Sequence, residues 1–170
     1  MVTPSASKND PDTVRKHLQR FEELDFQAFN RQDWKVLNPI YAEDVVVTFP
    51  DGHQAKGIEQ HDREMKAMFA WAPDVKVSSH PVKLGYGDST AVTGVLTGTF
   101  TQPMQLADGT VIPPTGNKFT VPMCTVARWR GDRISEEVLF WDSGSLMQQI
   151  GVTAGTAVVP PVVAEIREDF

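Results

Sequence analysis

From Val14 through Leu18, Phe21 and Leu24 to Ala28, apolar residues recur at three- and four-residue intervals. Arg15, Lys16, Gln19, Glu22, Glu23 and Gln27 fall between them. This spacing predicts an amphipathic helix of about five turns, one face of which is committed to a core. Asp10 stands where a cap is needed, and Pro11 where a first helical residue tolerates proline. A second, short helix is predicted after Asp33. It carries Trp34, Leu37 and Tyr41, and Pro39 limits its length. In a third, between Gly57 and Pro73, the residues Ile58, His61, Met65, Met68 and Ala72 share one face.

The remaining pattern is that of strands. Residues 45–49 are largely β-branched and run into Pro50-Asp51-Gly52, which predicts a strand, a tight turn and a short return over 53–56. Beyond residue 74, strands are predicted over 75–84, 90–101, 118–129 and 134–141, with turns at residues 85–88 and at Gly131-Asp132. Three helices followed by an antiparallel run predict an α+β fold, with a curved sheet folded over the helix faces. Residues 10–151 read as one domain. Residues 1–9 read as a frayed arm, and residues 152–170 as a tail. The tail's Val158, Val159, Val162 and Val163 suit packing on the domain or on a partner subunit.

With 170 residues, 41 % of them hydrophobic, the chain can bury one sizeable core. A net charge of −6 argues against a nucleic-acid or anionic-membrane partner, since both need clustered Lys and Arg. The single cysteine, Cys124, excludes a disulfide framework and a Cys-rich zinc site. No apolar run reaches the ~20 residues of a membrane span, and the polar start lacks a signal-peptide core, so a cytoplasmic protein is expected. His17, His53, His61 and His80 show no metal-ligand spacing, and phosphate-loop, dinucleotide and nucleophile-elbow motifs are missing. The chemistry expected is proton transfer without metal or cofactor.

Four residues are the candidates for it. Asp142, beside Trp141 near a strand end, is either a desolvated carboxyl with a raised pKa or the cap of a short helix. His61 interrupts an apolar helix face, either as a pocket acid or base or as a buried structural histidine. His80 precedes Pro81 in a strand and faces either the interior or the outer sheet surface. Glu136 is adjacent to Glu137, so one of the two points inward if the other points out. Tyr41, Trp71, Phe100, Phe119, Met123 and Trp141 are candidate walls of a ligand pocket, with core packing as the alternative.

Three stretches are shared with a known family: Thr97-Gly98-Thr99 followed by Pro113-Pro114-Thr115-Gly116, then Gly131-Asp132-Arg133-Ile134-Ser135-Glu136, then Trp141-Asp142 with Leu146-Met147-Gln148-Gln149-Ile150-Gly151. In their order and spacing the chain resembles the SnoaL-like polyketide cyclases of the nuclear-transport-factor-2-like superfamily, which also holds the ketosteroid isomerases. The resemblance implies a cone-shaped α+β barrel, open at one end onto an apolar pocket and paired through its sheet. It also marks two departures. Leu139 stands where the cyclases carry a catalytic aspartate, and Phe100 stands where a histidine is frequent.

The function expected is acid–base chemistry on an apolar, carbonyl-bearing molecule: cyclisation, isomerisation or hydrolysis, with Asp142 and His61 transferring protons. The alternative is a non-catalytic binding or assembly domain of the same fold. A homodimer is expected because the third strand of the run is apolar on both alternations. Val121, Met123 and Trp129 lie on one side, and Cys124 and Val126 on the other.

Overall fold

The computed structural model describes residues 10–106 and 108–152, so the arm over 1–9 and all of the tail except Val152 lie outside the described residues. Asp10 caps α1, Pro11–Glu22, by accepting from the backbone N–H groups of Asp12 and Thr13. The predicted five-turn helix does not run on regularly. Residues Glu23–Ala28 form a π-helical turn and Phe29–Arg31 a 3-10 turn, which Gln32 ends in the left-handed region at φ 55°. Asp33 then caps α2, Trp34–Leu37, and a 3-10 turn holding Pro39 follows over Asn38–Ile40. Tyr41 lies beyond these helical turns and opens β1, Tyr41–Thr48, which pairs with β2, Gln54–Lys56. The third predicted helix is α3, Ile58–Trp71, its apolar face buried through His61, Met65 and Phe69.

The strand predicted over 75–84 is two: β3, Lys76–Ser78, and β4, Lys83–Tyr86. Ser79, at φ 51°, and Pro81 break the extended run between them. Both pair with β5, Ser89–Thr99. Between β5 and residue 118, a long segment carrying Pro103, Pro113 and Pro114 holds a small hairpin of β6, Met104–Gln105, and β7, Val111–Ile112. The long hairpin is β8, Lys118–Arg130, with β9, Arg133–Trp141, and α4, Ser143–Gln149, follows.

Strand order in the main sheet is β2-β1-β9-β8-β5-β3, with β4 also on β5. Every pair is antiparallel except β1 with β9, which sets Val47 opposite Glu137 in parallel register. The helices pack in the concavity of this curved, unclosed sheet. Two core clusters result, one around Phe21, Leu37, Ile40 and Trp129, the other around Phe69, Phe100, Phe119 and Ile150. No helix among the described residues is long and apolar enough to cross a membrane.

Candidate active site

A cavity of about 60 Å³ lies between the helices and the sheet. Its walls are largely apolar, with Leu24, Phe29, Met65, Met123, Leu139 and Trp141 among them. Polar side chains reach it from every layer: Asp25 from the π-helical turn, Tyr41 from β1, His61 and Glu64 from α3, Thr125 from β8 and Glu137 from β9. Strand alternation explains the sheet's share. Glu137, Leu139 and Trp141 are in phase on β9 and sit opposite Ala127, Thr125 and Met123 of β8.

Glu137 is 3 % exposed, and the Tyr41 hydroxyl donates to its Oε2 at 3.0 Å. Burial drives the Glu137 pKa up to about 8; the Tyr41 hydrogen bond opposes this and the nearby Asp25 charge adds to it. The group is therefore a carboxylic acid at neutral pH, able to donate a hydrogen bond. The Tyr41 phenol is raised well above its usual value, first by burial and then by the charges of Glu137 and Asp25.

His61 is 2 % exposed and meets the Tyr41 ring edge-on at 4.6 Å. Neither of its ring nitrogens has a hydrogen-bond partner among the described residues. Burial lowers its pKa to about 4, against the opposing charges of Glu64 and Asp62. The imidazole is thus neutral at pH 7, with one nitrogen a donor and the other an acceptor. A buried polar group without a partner costs about 1–3 kcal/mol, so the two nitrogens call for a polar occupant of the cavity, water or ligand.

Asp25 is 6 % exposed, and its Oδ2 lies 2.7 Å from His80 Nε2. Burial raises the Asp25 pKa, and the His80 hydrogen bond counteracts this. Among the described residues, no three His, Cys, Asp or Glu side chains are placed to hold a metal ion together.

The family model for SnoaL-like polyketide cyclases matches residues 17–150. The chain belongs to that family. A protein assigned to the SnoaL-like polyketide cyclases, from Jannaschia sp. CCS1, superposes with a TM-score of 0.72 at 19 % identity, over 89 % of this chain and 99 % of that one. IdmH from Streptomyces antibioticus, assigned as a polyketide cyclase, gives 0.66 at 25 % identity, over 80 % and 99 %. A Catenulispora acidiphila protein of ketosteroid isomerase-like fold, solved with trimethylamine, gives 0.64 at 20 % identity, over 84 % and 97 %. No curated protein is a sequence match.

In this SnoaL-like chain the sequence candidates fall into distinct places. His61 lines the cavity, as do Tyr41, Met123 and Trp141. His80 is buried by its side chain, 1 % exposed, and reaches the site through Asp25. Glu136 points to solvent, because it is in phase with Val138 and Phe140 on the outer face; Glu137 is the inward member of the pair. Asp142 is exposed and caps α4, accepting from Ser145 N at 2.8 Å. Trp71, Phe100 and Phe119 pack on one another in the second core cluster, with Trp71 5.7 Å from Phe100 and 5.6 Å from Phe119, away from the cavity walls. The sequence reading missed Glu64, Thr125 and, most deeply buried among the acids it overlooked, Asp25. It lies four positions after Phe21 and seven after Leu18, so a carboxyl on the apolar stripe was the available signal.

Proposed function

We propose that this SnoaL-like protein is an acid–base catalyst acting on the carbonyl group of an apolar small molecule. Glu137, kept protonated and backed by Tyr41, donates to the carbonyl oxygen. His61, kept neutral, exchanges a proton with the substrate. The observation that carries the reading is the convergence of a neutral carboxylic acid and an unpartnered neutral imidazole on one apolar cavity. A donor fixed beside a carbonyl in a dry site stabilises the charge that develops there, and positioned proton transfer adds about 10²- to 10⁴-fold.

The cavity volume bounds the substrate. About 60 Å³ corresponds to about two waters at their liquid share of ~30 Å³ each. That admits a carbonyl group and the carbons beside it, the reacting end of a larger molecule, with the rest of a ring extending beyond the cavity. The polyketide cyclase assignments of IdmH and the Jannaschia protein agree with carbonyl chemistry of the cyclisation or isomerisation kind.

The test is exchange of α-protons for deuterium in D2O, followed by NMR on cyclohexanone and 3-cyclohexen-1-one. The wild type is expected to accelerate exchange, and His61→Ala and Glu137→Gln to lose most of the acceleration. Ketone binding without accelerated exchange would overturn the catalytic reading in favour of a binding domain.

The outer sheet face supports a homodimer. Cys124 sits opposite Phe140 and Val126 opposite Val138, and Phe140 is 51 % exposed. An apolar sheet face needs a cover layer, and a second copy supplies one. A monomer by light scattering at micromolar concentration would refute the pairing.

A further inference from the structure

Two carboxyl groups face the same cavity, and their partners differ. Glu137 is bonded to a phenol, Tyr41. Asp25 is bonded to an imidazole, and that imidazole is firmly held. The His80 ring packs against Phe26 at 4.6 Å and meets Phe21 edge-on at 5.9 Å. The left-handed Ser79 turns the chain immediately before it. The Asn30 side chain anchors the preceding strand, donating to Val77 O at 2.8 Å and accepting from Val77 N at 2.8 Å. The π-helical turn carries Asp25 at the wall of the cavity, and such turns recur at functional sites.

We propose that Asp25 is the proton acceptor of this site, positioned by His80, with Glu137 as its acid partner. Asp25's role presupposes the acid–base reading above and adds the group that starts the reaction. Like charges in one low-dielectric cavity repel, so one carboxyl ionises while the other stays protonated. An imidazole N–H favours the carboxylate at Asp25, whereas Glu137 has only the Tyr41 hydroxyl. The titratable groups around Asp25 are His80 after β3, Tyr41 of β1, Glu137 of β9, and His61 and Glu64 of α3.

With a carbonyl oxygen on Glu137, Asp25 takes a proton from the adjacent carbon. The C–H bond breaks, and its electron pair becomes the C=C bond of an enolate. The carbonyl π pair moves onto oxygen, where the Glu137 O–H holds it. Asp25, now neutral, either swaps that proton for a deuteron of the solvent and returns the deuteron to the same carbon, which is exchange, or returns the proton to the γ carbon, which is isomerisation.

The experiment is the pH–rate profile of α-proton exchange on 3-cyclohexen-1-one, with circular dichroism confirming the fold of each variant. Asp25→Asn is expected to lose at least about a hundredfold in rate. His80→Asn is expected to move the low-pH limb upward, because the carboxylate loses the partner that favours its charge. Wild-type rate in Asp25→Asn, with Glu137→Gln impaired, would overturn Asp25 as the base and leave the acid–base reading standing. No exchange above buffer by the wild type would overturn both. Should Asp25→Asn fail to fold, the limb in His80→Asn decides: an unmoved limb rejects the assignment.

Discussion

Replacing Glu137 by glutamine tests whether the buried acid is protonated, and it does so without a substrate. The amide still accepts from the Tyr41 hydroxyl but cannot ionise. In the wild type the carboxyl goes from 4.5 to about 8 on folding. Between those values the folded protein keeps a proton that the unfolded chain has lost, so stability falls as pH rises through the window and levels off above it. At about 1.4 kcal/mol per pH unit, the full cost is about 5 kcal/mol, of which about 3 kcal/mol is present at pH 7. His61 works with the opposite sign. Its pKa falls from 6.5 to about 4 on folding, so about 3 kcal/mol of stability is lost as pH drops through that range. The assay is urea unfolding from about pH 4.5 to about pH 9, read as the free-energy difference between variant and wild type. Glu137→Gln should match the wild type within about 1 kcal/mol at the acid end, and exceed it by about 3 kcal/mol at pH 7 and about 5 kcal/mol at the alkaline end. A difference that stays constant across the range would refute a carboxyl held neutral by burial.

Asp142→Ala should cost about 1 kcal/mol by loss of the α4 cap, while Asp142→Asn should be nearly silent in both urea unfolding and ketone exchange, because asparagine caps as well as aspartate. Gly98→Ala would put a methyl 2.6 Å from the Phe119 ring and 3.1 Å from Val75, so thermal unfolding should show a loss of about 1–3 kcal/mol. Trp129→Phe removes the indole N–H that donates to the buried Thr90 hydroxyl at 2.9 Å, and denaturant titration should register about 1–3 kcal/mol.

The α+β class was legible because periodicity carries it. Val14, Leu18, Phe21 and Leu24 did mark a buried helix face, and the Gly131-Asp132 turn did join the long hairpin. The π-helical turn was not legible, since one widened turn leaves the spacing of apolar residues nearly unchanged. Nor was the break at Ser79: residues 75–84 contain no glycine to announce a left-handed residue, and alternation across the break left the facing of His80 open. For the site, the helix-face position of His61 could be read directly, but of the six candidate walls only Tyr41, Met123 and Trp141 line the cavity, because an apolar residue reads the same in a core as in a pocket. The choice between Glu136 and Glu137 depends on strand phase, which the register of β8 with β9 sets and two adjacent glutamates cannot reveal. Asp142 illustrates a further ambiguity. Apolar neighbours in sequence do not make a carboxyl buried when it stands at a helix start, facing water.

The parallel pairing of β1 with β9 governs when this site comes into being. The strand that carries Tyr41 is made early, but one of its two neighbours in the sheet is the last strand among the described residues, and the two residues that share a hydrogen bond are 96 positions apart. Closing so long a loop is entropically slow and has to precede the contacts that reward it. During synthesis, which proceeds N-terminus first, the cavity wall from β1 waits with an unpaired edge until residues beyond 133 have emerged. Pairing of Tyr41 with Glu137 therefore coincides with completion of the main sheet, and a chain made only as far as β8 has neither.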